Sequence, residues 1–156
     1  MTSVRDIITI SGLAVRVHIA YKNAPDGYKH ISKDVAALQI LIDKAAKHFK
    51  GTIISSNGRL DGQRVLKGCQ SMLQDLYSLI EKYNKLVLIN KRLVLKAVKL
   101  GKEDITTLHI RLISETVLLK GVVRRFVIFQ LLLYLINLII LITLILAMNI
   151  SRSKHN

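Results

Sequence analysis

Residues 126–150 read FVIFQLLLYLINLIILITLILAMNI, twenty-five residues without a charge, fifteen of them Leu or Ile. At about 1.5 Å of rise per residue the run measures about 37 Å as a helix. A hydrocarbon core of about 30 Å takes about 20 apolar residues. The run is therefore long enough to span with some tilt. It lacks the polar face that a half-buried helix of a water-soluble fold carries, and a chain of 156 residues is too small to wrap it on every side. Its position far from the N-terminus separates it from a secretory signal. The expected anchor extends from Phe126 through Leu133 and Ile140 to Ile150.

The flanks set an orientation. Lys120, Arg124 and Arg125 precede the run, and Arg152 and Lys154 follow it. Short basic segments stay on the cytosolic side, and most of the chain lies before the run. The expectation is a single-pass tail anchor over residues 123–150. Residues 1–122 are then in the cytosol, and residues 151–156 form a short basic tail. Inside the run, Gln130 and Asn137 are seven residues apart and fall on nearly one helix face. An amide in hydrocarbon is costly without a partner. Self-association that pairs each amide with its copy supplies one, at about 1–2 kcal/mol in model peptides.

Composition points the same way. Lys and Arg number 24 against 10 Asp and Glu, a net charge of +14, and no acid follows Glu115. Such a balance fits either an anionic partner or solvated helix faces rich in lysine. Five Tyr and three Phe are scattered along the chain, and no zinc-finger spacing or RNP-like aromatic stretch occurs, which disfavours nucleic acid. Beside an anchor, the charge fits membrane lipid headgroups, with Arg92, Lys96, Lys99, Arg124 and Arg125 as the expected contacts. Arg92, Lys96 and Lys99 share one face of a basic amphipathic piece over residues 90–102; such a piece lies on an anionic surface or forms a solvated edge. The single cysteine, Cys69, excludes an internal disulfide and reads as a small buried core residue.

The rest of the chain carries helical spacing. Residues 4–21 are ambiguous: residues 15–19, VRVHI, alternate like a strand, while Ile7, Ile10, Ala14, Val17 and Tyr21 fit one helix face, and the length favours helix. A turn at Pro25-Asp26-Gly27 follows. Tyr28, Ile31, Val35, Leu38, Ile42, Ala45 and Phe49 recur every three or four residues. Residues 51–62, with Asn57-Gly58, read as a loop. Leu66, Cys69, Leu73, Leu76, Ile80, Tyr83 and Val87 repeat the pattern. The second and third helices, joined by a short loop, are expected to pack antiparallel as a pair. A fourth helix begins near Glu103, with Ile105, Leu108, Leu112, Thr116, Leu119 and Val123 on its apolar line. The expected fold is all-α: a bundle of about four helices followed by one C-terminal transmembrane helix.

No catalytic spacing is present. There is no phosphate-cradling Gly-rich loop ending in Gly-Lys-Ser/Thr, no His-Glu-x-x-His and no Gly-x-Ser-x-Gly. His18, His30, His48, His109 and His155 fall in separate segments without metal-ligand spacing. No cofactor, metal or catalytic residue is expected, and enzyme is the least favoured class.

Residues 66–76, LKGCQSMLQDL, are followed by LIEKY at 79–83, ITTL at 105–108 and RLISET at 111–116. This pattern resembles the helical N-terminal domain of fungal STAND (NLR-like) proteins, HeLo-like in style, over about residues 1–125. The resemblance implies an all-α, death-effector-like input module that works by protein contact and carries no catalytic residues. In such proteins a nucleotide-binding domain follows, and here an apolar run stands in its place. Two functions compete: a membrane-anchored interaction or signalling module orphaned from a STAND protein, and a fragment or gene-model variant of a soluble STAND regulator with a non-native apolar tail.

Overall fold

The computed structural model describes the backbone of residues 4–24, 28–51, 56–89 and 91–153. Side-chain surroundings are described for residues 6–24, 28–48, 60–85 and 104–150. Four helices and no strand occur among the described residues: α1 (Val4–Lys22), α2 (Lys29–Gly51), α3 (Ser56–Ile89) and α4 (Lys91–Ser153). The chain divides into two compact units, Met1–Val123 and Arg124–Asn156.

The first segment is a helix, and its three-four stripe decides the matter. Ile7, Ile10, Ala14, Val17 and Tyr21 are all buried. Asp6 in the first turn and Lys22 in the last match the helix dipole. Ile31, Val35, Leu38, Ile42 and Ala45 form the buried stripe of α2, and Leu66, Cys69, Leu73, Leu76 and Ile80 that of α3. Met72 joins the α3 stripe, and Leu112, Leu119 and Val123 close the same core from α4. Tyr28, Tyr83, Ile105 and Leu108 pack half-buried around it. Phe49 and Val87 lie outside the described side chains, as the Pro25-Asp26-Gly27 turn lies outside the described backbone.

Three expectations are corrected. The loop over residues 51–62 is largely helical, because α3 begins at Ser56 and runs through Asn57, Gly58 and Gly62. A helical Gly costs about 1 kcal/mol relative to Ala, and burial of Gly62 shows that packing overrides it. The fourth helix starts at Lys91 rather than near Glu103, so the basic piece is its first part. The third correction concerns pairing. Among the described residues α1 makes the close backbone approaches, to both α2 and α3, while the antiparallel α2 and α3 meet through the Tyr28 and Tyr83 rings. The fully buried Tyr21 shows why: its hydroxyl donates to the Leu76 carbonyl at 3.0 Å, which seats α1 against α3.

Polar bonds set the helix directions. Ser11 donates to Asp43 at 2.7 Å, and the buried Ser32 donates to the His18 carbonyl at 3.2 Å, so α1 and α2 run antiparallel. Arg111 donates to Asp75 at 2.8 Å and to Ser71 at 3.2 Å. Further along, the Glu115 carboxylate sits where a Cβ on Gly68 would be, 2.6 Å from that position, so α3 and α4 are antiparallel too. His109 Nε2 is 2.6 Å from the Asp34 carboxylate, which joins α4 to α2. The Tyr28 and Tyr83 rings meet edge-on at 6.1 Å and place the start of α2 beside the later part of α3.

Candidate membrane anchor

A Leu/Ile run without Pro or Gly forms helix readily, and residues 126–150 are helical throughout. Among the described residues this helix, α4, is long and apolar enough to cross a membrane. Its apolar side chains are unprotected. From Val127 to Ile150 every large hydrophobic side chain is exposed, from 38% at Val127 to 69% at Tyr134, and the positions go round the full circumference. Leu133, Ile140 and Ile150 are among them. Phe126 differs, being 6% exposed.

The polar groups of the run fall into two kinds. Thr143 satisfies itself by donating to the Ile139 and Ile140 carbonyls at 3.0 and 2.8 Å. This bond from a hydroxyl to the preceding turn removes its cost in hydrocarbon. Asn137 is exposed, whereas Gln130 is half-buried and already takes part in a polar interaction. Arg124 and Arg125 are exposed at the start of the second unit. Arg92, Lys96 and Lys99 belong to the helical backbone of α4, and their side chains lie outside the described set, as do those of residues 151–156.

The bundle gathers groups that the sequence keeps apart. His30 and His109, from α2 and α4, stack edge-on with ring centroids 4.7 Å apart, and His109 bonds to Asp34. His30 and Asp34 are one turn apart on α2, but only the fold brings His109 to them. No group of three His, Cys, Asp or Glu among the described residues is arranged to hold a metal ion. Cys69 is buried, and burial together with the nearby Glu115 carboxylate pushes its thiol up to about 12. That is a core residue without thiolate character at neutral pH. Burial raises the Glu115 carboxyl as well, with Arg111 pulling it back.

No family model, no curated protein and no solved structure matches this chain.

Proposed function

We propose that the chain is a non-enzymatic, single-pass membrane protein whose helical bundle is an interaction or signalling module held at the cytosolic face by residues 126–150. One observation carries the proposal: a continuous apolar helix whose large side chains are exposed on every side. In water such a surface is strongly unfavourable, since burying one Leu or Ile is worth about 1.5–3 kcal/mol. In a bilayer the same surface drives insertion. At about −0.3 to −0.6 kcal/mol each on the insertion scale, fifteen Leu and Ile supply at most about 9 kcal/mol.

Orientation rests on Arg124 and Arg125, which hold the preceding segment on the side where Lys and Arg remain. Pattern resemblance at residues 66–83 and 105–116 supports an input module of the STAND kind, whose partner is another protein or a second copy. The bundle's role is then to present a helical surface at a membrane, and the anchor's role is to raise its local concentration there. Alkaline carbonate extraction of cell membranes tests the anchor. Retention in the pellet is expected, and release into the supernatant refutes the proposal in favour of a soluble fragment with a non-native tail. Protease protection of an N-terminal epitope tests the orientation: digestion in intact cytosol-out vesicles is expected, and protection overturns the cytosolic placement.

A further inference from the structure

We propose that the end of the bundle carrying Ile8, Leu60 and Val123 is a seat for an anionic phospholipid leaflet. It deepens, and rests on, the proposal that residues 126–150 span a bilayer. The end is defined by bonds inside the first unit. α1 is antiparallel to α2 through Ser11–Asp43 and His18–Ser32, which sets Ile8 level with Lys44 and Lys47. α3 is antiparallel to α4 through Asp75–Arg111 and Gly68–Glu115, which sets Leu60 and Arg64 level with Lys120 and Val123. Tyr21 against Leu76, with Tyr28 just beyond the end of α1 against Tyr83, runs α1 alongside α3 in the same sense, so both groups fall at one end.

The surface there has the composition of a headgroup-binding face. Ile8 and Leu60 are large apolar side chains, 62% and 60% exposed, on the opening turns of two different helices. Lys44, Lys47, Arg64 and Lys120 are exposed around them. The acids at this level are Asp6, Asp43 and Asp61, and Asp43 is engaged by Ser11. Among the described residues, four exposed cations against three acids, one of them engaged, leave this end positive.

Charge alone does not choose the end. Lys22, Lys29, Lys33, Lys82 and Lys85 make the opposite end basic too. Connectivity chooses it: only Arg124 and Arg125 separate Val123 from the uncharged run, so a spanning run brings this end to the headgroups. Long cationic side chains then reach phosphate and carboxylate groups while Ile8 and Leu60 enter the interface. A second copy of the chain fits this end poorly, because it presents the same positive surface.

The test uses the full chain in vesicles. Leu60→Cys carries an environment-sensitive dye, and the buried Cys69 stays unlabelled in the folded bundle. Lys82→Cys carries the same dye at the opposite end. In vesicles with about a third anionic lipid, lipid-borne quenchers should reduce the position-60 signal at least about twofold and leave position 82 unchanged. In neutral vesicles, position 60 should stay close to its aqueous value. Lys44→Glu/Lys47→Glu/Arg64→Glu should abolish the quenching, and the milder Lys44→Gln/Lys47→Gln should reduce it if the triple variant loses helicity. A position-60 dye that remains aqueous on anionic vesicles from which carbonate cannot strip the chain overturns the seat and leaves the anchor standing. Equal quenching on neutral vesicles, or quenching that follows protein density rather than lipid charge, also overturns it. Loss of the chain from vesicles on carbonate treatment refutes the anchor itself.

Discussion

Tyr21→Phe isolates a single bond at the centre of the bundle. The ring is fully buried, and its hydroxyl reaches the Leu76 carbonyl at 3.0 Å. Burial pushes the phenol well above its ordinary value of 10.0, so it acts as a neutral donor at any physiological pH. Removing the hydroxyl takes away one neutral hydrogen bond, worth about 0.5–1.5 kcal/mol net. The bereft acceptor is not orphaned, because a mid-helix carbonyl keeps its bond from the amide four residues on. The expected cost is therefore near the middle of that range, about 1 kcal/mol. Tyr21→Ala also empties the site, which costs about 3–5 kcal/mol for an aromatic. An ordinary melt follows the anchor helix as well as the bundle, so the assay should see the bundle alone. Cys69 provides it: the chain has one cysteine, and it is buried in the core. Its alkylation rate in the membrane-bound protein reports the open fraction of the bundle when opening is fast relative to labelling. Tyr21→Phe should raise that rate about fivefold, and Tyr21→Ala by two orders of magnitude or more, from about 1.4 kcal/mol per factor of ten. A Tyr21→Phe rate equal to wild type, or as high as that of Tyr21→Ala, would falsify the assignment of Tyr21 as a packed ring with one modest bond.

Ile139→Arg should weaken insertion by about 3–4 kcal/mol, the sum of a lost Ile and a central Arg, which is a large part of the available drive; partial release on carbonate extraction is expected, and full retention counts against a bilayer-central Ile139. Gly68→Ala places a methyl 2.6 Å from the Glu115 carboxylate; that flexible side chain swings into water while the helix gains about 1 kcal/mol over Gly, so slower Cys69 labelling is expected and faster labelling refutes the account. Glu115 binds its proton more tightly folded than unfolded, so its contribution to stability is full below 4.5 and is lost as pH rises through the raised folded value; wild type minus Glu115→Gln, measured by urea denaturation across that window, should show this loss, and a flat difference excludes it. Asn137→Leu should lower self-association of the anchor in a membrane two-hybrid assay, a modest effect of about 0.6–2 kcal/mol; an unchanged signal makes the anchor a passive tether.

The stripes of α1, α2 and α3 are legible because three-four spacing of apolar residues is a direct consequence of helix geometry. The spacing of Ile31, Val35, Leu38, Ile42 and Ala45 alone marks them as the buried face of α2. The apolar run is equally plain, since exposure on all sides follows from the absence of a polar face. Spacing misleads where local propensity and tertiary packing disagree. Asn57, Gly58 and Gly62 are turn formers in isolation, yet they lie inside α3. Residues 90–102 carry their own basic face in Arg92, Lys96 and Lys99 and read as a separate piece, yet all from Lys91 onward belong to α4. Relations between helices were not legible: spacing says which face is buried and never against which partner. Nothing in the sequence distinguishes α1 as the helix that approaches two others, or brings His109 to His30 and Asp34.

The core takes members from Ile7 to Val123, with α4 closing it through Leu112, Leu119 and Val123. The order of synthesis follows from this. No smaller part of the chain contains a complete core, so the ribosome must deliver Val123 before the bundle can close. At about 5–20 residues per second, the codons from Val123 to Ile150 take only about one to five seconds more. Two sticky surfaces thus appear almost together: three helices still waiting for their fourth, and an uncharged run whose large side chains are exposed on every side. A cell making this protein has one short interval in which to shield both, and a factor that captures the run also holds α4 at the moment the bundle needs it.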